Sequence, residues 1–283
     1  MSWRFTDDVE AYAAAVGPLL AASPAEHTLS LTIIENARAR RGGTAVEVFG
    51  WWTDPSGEVT GTVSHSAPHE LVLGVVPDVA VRPLVHELGE LATHPVGVNG
   101  PTSTAAQVAA VWMAETGGAV LLRHAERLHV LEGGVHLDAA PSGRARVATA
   151  ADADLLVRWI GDFGREAGVV ADPPAVVADR LDHGGMTLWE DASGGPVALA
   201  ARNRPAAGIV RVGPVFTPAP HRRRGWGAAV TAAVTQAALD EGARAVVLFT
   251  DLTNATSNAL YRRLGYQPVG DRLVLRFDLT GPG

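Results

Sequence analysis

The run Val212-Gly213-Pro214-Val215-Phe216-Thr217-Pro218-Ala219-Pro220-His221-Arg222-Arg223-Arg224-Gly225-Trp226-Gly227-Ala228 constrains this chain more than any other stretch of it. An apolar strand over 208–217 ends at a proline turn, and small residues then open an alanine-rich helix over about 225–241. Strand, turn and helix in that order define an α/β unit. A helix N-terminus exposes unpaired N–H groups and a partial positive charge. Glycines there let an anion approach the backbone closely. Arg222, Arg223 and Arg224 add charge and forked donors. The stretch therefore describes a site for a diphosphate; a surface arginine cluster beside an ordinary turn is the plainer alternative. Two other phosphate motifs are excluded. A dinucleotide fingerprint needs a third glycine where Val230 stands, and a P-loop needs a lysine, which this chain lacks.

The same reading extends to the rest of the chain. Periodicity predicts helices over 8–21 and 25–41, then strands over 45–53, 59–65 and 70–76. The turns Asp54-Pro55-Ser56-Gly57 and Ala67-Pro68 punctuate them. A helix over 78–92, a turn at Gly97-Val98-Asn99-Gly100-Pro101, a helix from Thr102 to Thr116 and short strands over 119–124 and 127–132 follow. Residues 133–144 are polar and rich in glycine and proline, and read as a linker. Beyond it come a strand over 145–148, a capping-box start at Thr149-Ala150-Ala151-Asp152, and helices over 151–167 and 173–182. Strands over 186–191, 196–203 and 208–217 lead to the helix over 225–241. A strand over 244–250, a helix over 255–264 and strands over 267–269 and 272–279 end the pattern. The expected class is α/β with a mixed sheet, in two domains at 1–132 and 145–283. Both share a coarse order of helices, a three-strand meander and strand–helix units, which hints at a tandem duplication.

Charge decides which half would take an anion. Residues 1–140 hold 7 Arg and 16 acids, a net of −9, whereas residues 141–283 hold 16 Arg and 14 acids, a net of +2. A chain of net charge −7 is not a general nucleic-acid binder. With no cysteine it forms no disulfide, thiolate metal site or cysteine nucleophile. The N-terminus MSWRFTDDVEAY has acids where a secretory signal needs a basic and then an apolar region, and no apolar run is long enough to span a bilayer. A cytoplasmic protein is expected.

A second stretch, Asp251-Leu252-Thr253-Asn254-Ala255-Thr256-Ser257-Asn258-Ala259-Leu260-Tyr261-Arg262-Arg263-Leu264-Gly265-Tyr266, follows the strand over 244–250. Asn254 is placed to cap the helix, Asn258 and Tyr261 share one face, and Gly265 ends it. Together, the two stretches resemble the GNAT superfamily of acyl-CoA-dependent N-acyltransferases. Arg222-Arg223-Arg224-Gly225-Trp226-Gly227 matches that family's Arg/Gln-x-x-Gly-x-Gly/Ala motif, and the second stretch resembles its coenzyme-facing helix. The resemblance covers about the last 135 residues; the first domain carries neither motif and would be a degenerate GNAT-like copy.

The resemblance implies transfer of an acetyl group from acetyl-CoA to an amine by direct attack. It implies that Arg222, Arg223, Arg224, Gly225, Trp226, Gly227 and Ala228 hold the pyrophosphate. It places the pantetheine arm along Val215, Phe216 and Thr217, with a bulge at Gly213-Pro214, and coenzyme contacts at Asn254 and Asn258. Tyr261 would be the general acid that protonates the leaving thiolate. The family's base often sits on the strand that here spans 208–217. That strand has no carboxylate, so Glu190 is the leading candidate, against a solvated strand-end charge. His183 and His221 read as turn or surface residues. His65 and His69 straddle Pro68 and do not read as a metal pair, and Trp51-Trp52 reads as core by default. No metal is expected. The expected partners are acetyl-CoA and a small-molecule or peptide amine, with no nucleic acid and no membrane. Two other readings stay open: a catalytically silent acyl-CoA-binding sensor or scaffold, and a tandem acyltransferase for a thiol precursor, as in mycothiol synthesis.

Overall fold

The computed structural model describes residues 1–39, 47–90, 95–169 and 172–278; the ends of four sequence-read elements, at 40–41, 45–46, 91–92 and 279, lie outside the described residues. The first half runs β1 (Ser2–Thr6), α1 (Val9–Ala22), α2 (Thr28–Ala39), β2 (Glu47–Thr53), β3 (Val59–Ser66), β4 (Leu71–Leu73), α3 (Asp78–Glu90), β5 (Gly97–Pro101), α4 (Thr102–Thr116) and β6 (Ala119–Leu131). The second runs β7 (Arg144–Val147), α5 (Ala153–Ala167), α6 (Pro173–Asp182), β8 (Met186–Glu190), β9 (Pro196–Arg202), β10 (Ile209–Phe216), α7 (Trp226–Asp240), β11 (Ala245–Asp251), α8 (Ala255–Arg263) and β12 (Gln267–Asp278). Both halves thus follow one order: strand, two helices, three strands, helix, strand, helix, strand.

The chain packs as two compact units. The first comprises Met1–Leu128, Asp251–Thr253 and Val269–Gly283; the second comprises His129–Thr250 and Asn254–Pro268. The division falls inside β6 and β12 rather than at a single point in the chain.

In the first unit β1, β2, β3 and β4 pair antiparallel in that order, β4 pairs parallel with β5, and β5 pairs antiparallel with β12. Tyr12, Val16, Leu20 and Ile34 from α1 and α2 pack with Phe49 of β2. Leu84, Leu88, Val108 and Trp112 from α3 and α4 form a separate core with Val63, Leu71, Leu73 and Val98. The alternation of strand residues between these two cores is the period of two that a doubly covered sheet demands.

The fold departs from the sequence expectation at 97–101, 119–132 and 267–279, and it adds strand β1 at Ser2–Thr6. Gly97-Val98-Asn99-Gly100-Pro101 is strand β5, not a turn. A Cβ on Gly97 would lie 1.9 Å from Leu275 O, and one on Gly100 would lie 2.7 Å from Leu73 Cβ. The glycines here allow close backbone approach inside a sheet. The paired short strands at 119–132 and 267–279 are each one strand, β6 and β12. Ala125 stays in β6, where its carbonyl accepts from Leu252 N at 2.9 Å, and Arg127 grips Asp271 of β12 at 2.7 and 2.9 Å.

The second unit repeats the ladder types. β7, β8, β9 and β10 pair antiparallel in order and β10 pairs parallel with β11. The capping box at Thr149 and Asp152 is formed, and α5 places Leu156, Trp159 and Ile160 at i, i+3, i+4 spacing into a core with Met186, Leu188, Leu199 and Phe216. On the opposite face α7 buries Ala229, Val230, Val234 and Ala238 against Ala198, Ala200, Val210, Val212, Val246 and Leu248. Small side chains on both surfaces let the helix lie close to the strands.

Candidate coenzyme and catalytic site

The site is built at the ends of β10 and β11. Parallel pairing between them runs from Ile209–Ala245 to Arg211–Val247 and stops there among the described residues, although β10 continues to Phe216. On its other side β10 stays paired, with Val215 opposite Ala200 and Phe216 opposite Leu199, after a register shift between Val212 and Val215. Gly213-Pro214 sits within that shift, where proline's missing N–H costs no ladder bond. Val215 and Phe216 therefore present one backbone edge to β9 and the other toward the gap with β11.

Beyond Thr217 the chain makes a 3-10 turn at Ala219–His221 and enters α7 through Gly225, whose φ is +84°. No side chain caps that helix end, so its first N–H groups have no side-chain acceptor. A Cβ on Gly227 would come within 3.3 Å of Thr217 Oγ1, so glycine at 227 keeps the mouth of the turn open. Arg223, with φ of +62°, is a non-glycine residue held in the left-handed region. These features fit a diphosphate: open N–H groups, room at the backbone and three guanidinium groups.

The arginines differ in their surroundings. Arg222 donates from Nε to Thr217 O at 2.8 Å and from Nη2 to both oxygens of Glu166 on α5, at 2.8 and 2.6 Å. Its guanidinium carbon also lies 5.9 Å from the Phe216 ring centre, and that of Arg224 lies 5.3 Å from the Trp226 ring. Trp226 is buried and makes a tilted contact with His221 at 5.6 Å. Ala228 lies in the first turn of α7 and packs partly buried against its core.

On α8, Asn254 caps the helix by accepting from Ser257 N at 3.0 Å. Asn258 points inward. Its Oδ1 accepts from Thr250 Oγ1 at 2.7 Å and lies 3.3 Å from His129 Nε2, and its amide nitrogen donates to Asn254 O at 2.9 Å. Tyr261, one turn on, is buried, and burial pushes its phenol up to about 12. Tyr266 stands at 6.0 Å in a T-shaped contact with it and is anchored by a 2.6 Å hydrogen bond to Thr235 of α7. Gly265, at φ +102°, turns the chain out of the helix so that Tyr266 can enter the core.

Glu190 ends β8. Its carboxylate binds Arg146 Nε at 2.5 Å and Arg144 Nε at 3.1 Å, and these guanidinium groups hold its pKa below the usual carboxylate range. Arg146 also donates to both oxygens of Asp152 at 2.7 and 2.8 Å, so Glu190 belongs to a network tying β7 and the start of α5 to β8. A carboxylate so held is a weak proton acceptor. Among the described residues no group of acids and histidines is arranged to hold a metal ion. His129, Thr250 and Glu166 are three site-adjacent residues that the sequence reading did not single out. Each meets its partner only through the fold; His129 and Thr250 are 121 positions apart.

Strand gap, arginine–glycine turn and capped helix stand together in the second unit. Residues 195–274 match the family model described as FR47-like protein. The fold over the whole chain is similar to a GCN5-related N-acetyltransferase from Sphaerobacter thermophilus, with 19% identity, TM-score 0.64, and 99% of this chain and 96% of that one covered. It is similar to a GCN5-related N-acetyltransferase from Kribbella flavida, with 23% identity, TM-score 0.59, and coverage of 93% and 96%. A tandem GNAT protein from the clavulanic acid biosynthesis pathway matches over 100% of both chains, at 13% identity and TM-score 0.57. No curated protein matches the sequence.

Proposed function

We propose that the protein transfers an acetyl group from acetyl-CoA to an amine, and that its second unit carries the reaction on a chain built as two GNAT-like copies. The observation that carries this reading is the uncapped start of α7, flanked by Arg222, Arg223 and Arg224 and set at the open end of the β10–β11 gap. The pyrophosphate would accept from the first N–H groups of α7, with the arginines compensating its charge. The pantetheine arm would pair with the backbone of Val215–Thr217 on the side of the gap with β11. The neutral amine attacks the thioester carbon, a C–N bond forms, and the C–S bond breaks. Tyr261 gives its proton to the departing sulfur and the amine's surplus proton passes to solvent, from which the phenol is recharged. In this reading Glu190 keeps β7 and β8 together and takes no proton.

A second reading, an acyl-CoA-binding module without turnover, is favoured by one observation: β10 carries no carboxylate, and Glu190 is held by two guanidiniums. Titration of acetyl-CoA into the full-length protein, with Arg222→Glu alongside, tests what the two readings share. Micromolar binding that falls by about 100-fold or more in the variant is expected from the loss of a charge-assisted contact and the gain of repulsion. A wild type that does not bind sinks both readings. Tyr261→Phe separates them. Release of CoA in the presence of an amine panel should drop by about 10- to 100-fold while binding stays within about twofold. Absence of CoA release from the wild type with every amine would leave the binding module standing.

A further inference from the structure

His129 lies outside both motifs, on β6, and is 1% exposed. Its Nε2 sits 3.2 Å from Thr250 Oγ1 and 3.3 Å from Asn258 Oδ1. Thr250 has one hydroxyl proton and donates it to Asn258 Oδ1 at 2.7 Å. Toward His129 the threonine oxygen is therefore an acceptor, and an amide oxygen is always one. Two acceptors facing one ring nitrogen require that Nε2 carry a proton and share it between them. At its other end the Asn258 amide donates to Asn254 O at 2.9 Å, the residue that caps α8. The His129 ring centre is 6.4 Å from that of Tyr261.

We propose that His129 is a positioning residue for the coenzyme-facing side of α8. Its Nε2–H, with the Thr250 hydroxyl, locks the Asn258 side chain and so sets the first turns of the helix on which Tyr261 stands. The inference rests on the functional reading above for what that face meets. It extends the site to a side chain that neither motif contains and that comes from the first half of the chain. His129 touches no reacting atom in this scheme; it acts through Asn258.

The test uses the full-length protein and three variants, His129→Ala, His129→Gln and the near-isosteric Thr250→Val. Each is titrated with acetyl-CoA, and the Asn258 side-chain amide is followed by NMR in the ligand-free state. His129→Ala should weaken acetyl-CoA binding by about 3- to 10-fold, as loss of an orienting hydrogen bond does, and should speed hydrogen exchange at the Asn258 amide. Glutamine, whose amide N–H can reach the same two oxygens, should restore binding to within about twofold of wild type. It should also leave the shape of the pH–rate profile unchanged, which a proton-transferring histidine would not. Thr250→Val should weaken binding in the same direction, and it carries the test if His129→Ala does not fold. The proposal is overturned if the wild type binds but His129→Ala and Thr250→Val bind equally well, or if glutamine fails to rescue. A wild type that binds no acetyl-CoA overturns the functional reading and the positioning role with it, whatever the amide resonance shows.

Discussion

Arg222 already has an anion. Glu166 presents both carboxylate oxygens to its Nη2, and the pair is roughly half exposed, at 43% and 53% of the side-chain surface. An exposed ion pair contributes little to stability, but this one competes with an incoming phosphate for the same guanidinium. Glu166→Gln should therefore tighten CoA binding by about 2- to 5-fold at low salt, and the gain should shrink as salt screens the carboxylate. If the variant binds more weakly, Glu166 orients Arg222 instead of competing for it. Tyr261 belongs to the same scale. Burial raises its pKa to about 12, so the phenol is still protonated at the pH where an alkyl amine begins to lose its proton. The pH–rate curve should rise as the amine deprotonates and show no fall from loss of this donor below about pH 11. The local residues of the site were legible in the sequence because their spacing is local: arginines, Gly225 and Gly227 in one turn, Asn258 and Tyr261 on one helical face. Glu166 was not, because it lies 56 positions from Arg222 and meets it only through packing of α5.

At the scale of elements, β5 shows how a composition rule misleads. Glycine, asparagine and proline in five residues read as a turn because each favours one. In the fold they let a central strand fit between β4 and β12, and Arg272 completes the fit. That arginine is 6% exposed and donates to Asn99 Oδ1, Asn99 O and Leu73 O, and burial lowers its pKa to about 10. Gly97→Ala should destabilise the protein by about 2–4 kcal/mol, since a Cβ 1.9 Å from Leu275 O must displace backbone. Gly89→Ala, in α3 with nothing within 4 Å of the added carbon, should stabilise by up to about 1 kcal/mol. Thermal unfolding of the two variants reads both signs. The helices of the second unit were easier to anticipate. Thr149 with Asp152 marks one start, and Leu156, Trp159 and Ile160 mark the face that follows.

For the whole molecule, two halves of one element order have different chemistry at the corresponding corner. In the second, the helix after the fourth strand is preceded by Arg222, Arg223, Arg224 and Gly225. In the first, α3 begins at exposed Asp78 after Gly74-Val75-Val76-Pro77, with an acid where the other has arginines. An acid at a helix N-terminus already satisfies the helix dipole and repels phosphate. Titration should therefore give one CoA per chain, and Arg222→Glu should remove all of it; a second equivalent surviving in that variant would assign coenzyme to the first half. The unequal charge of the halves, −9 over 1–140 and +2 over 141–283, points the same way. The sequence did not disclose which strand closes which sheet, because β12 pairs with β5 about 170 positions earlier, as Arg272 and Asn99 do at a separation of 173.

Because the compact units divide within β6 and β12, the gene for this protein has no clean seam. A break in the 133–144 segment would leave the first product without the strand that flanks β5 and the second without His129. If the two halves descend from one ancestor, their fusion has become a ratchet. Point substitutions can erase the coenzyme chemistry of one half, but deletion of that half removes backbone the other needs. A catalytically empty copy can then persist in a lineage with no activity of its own under selection.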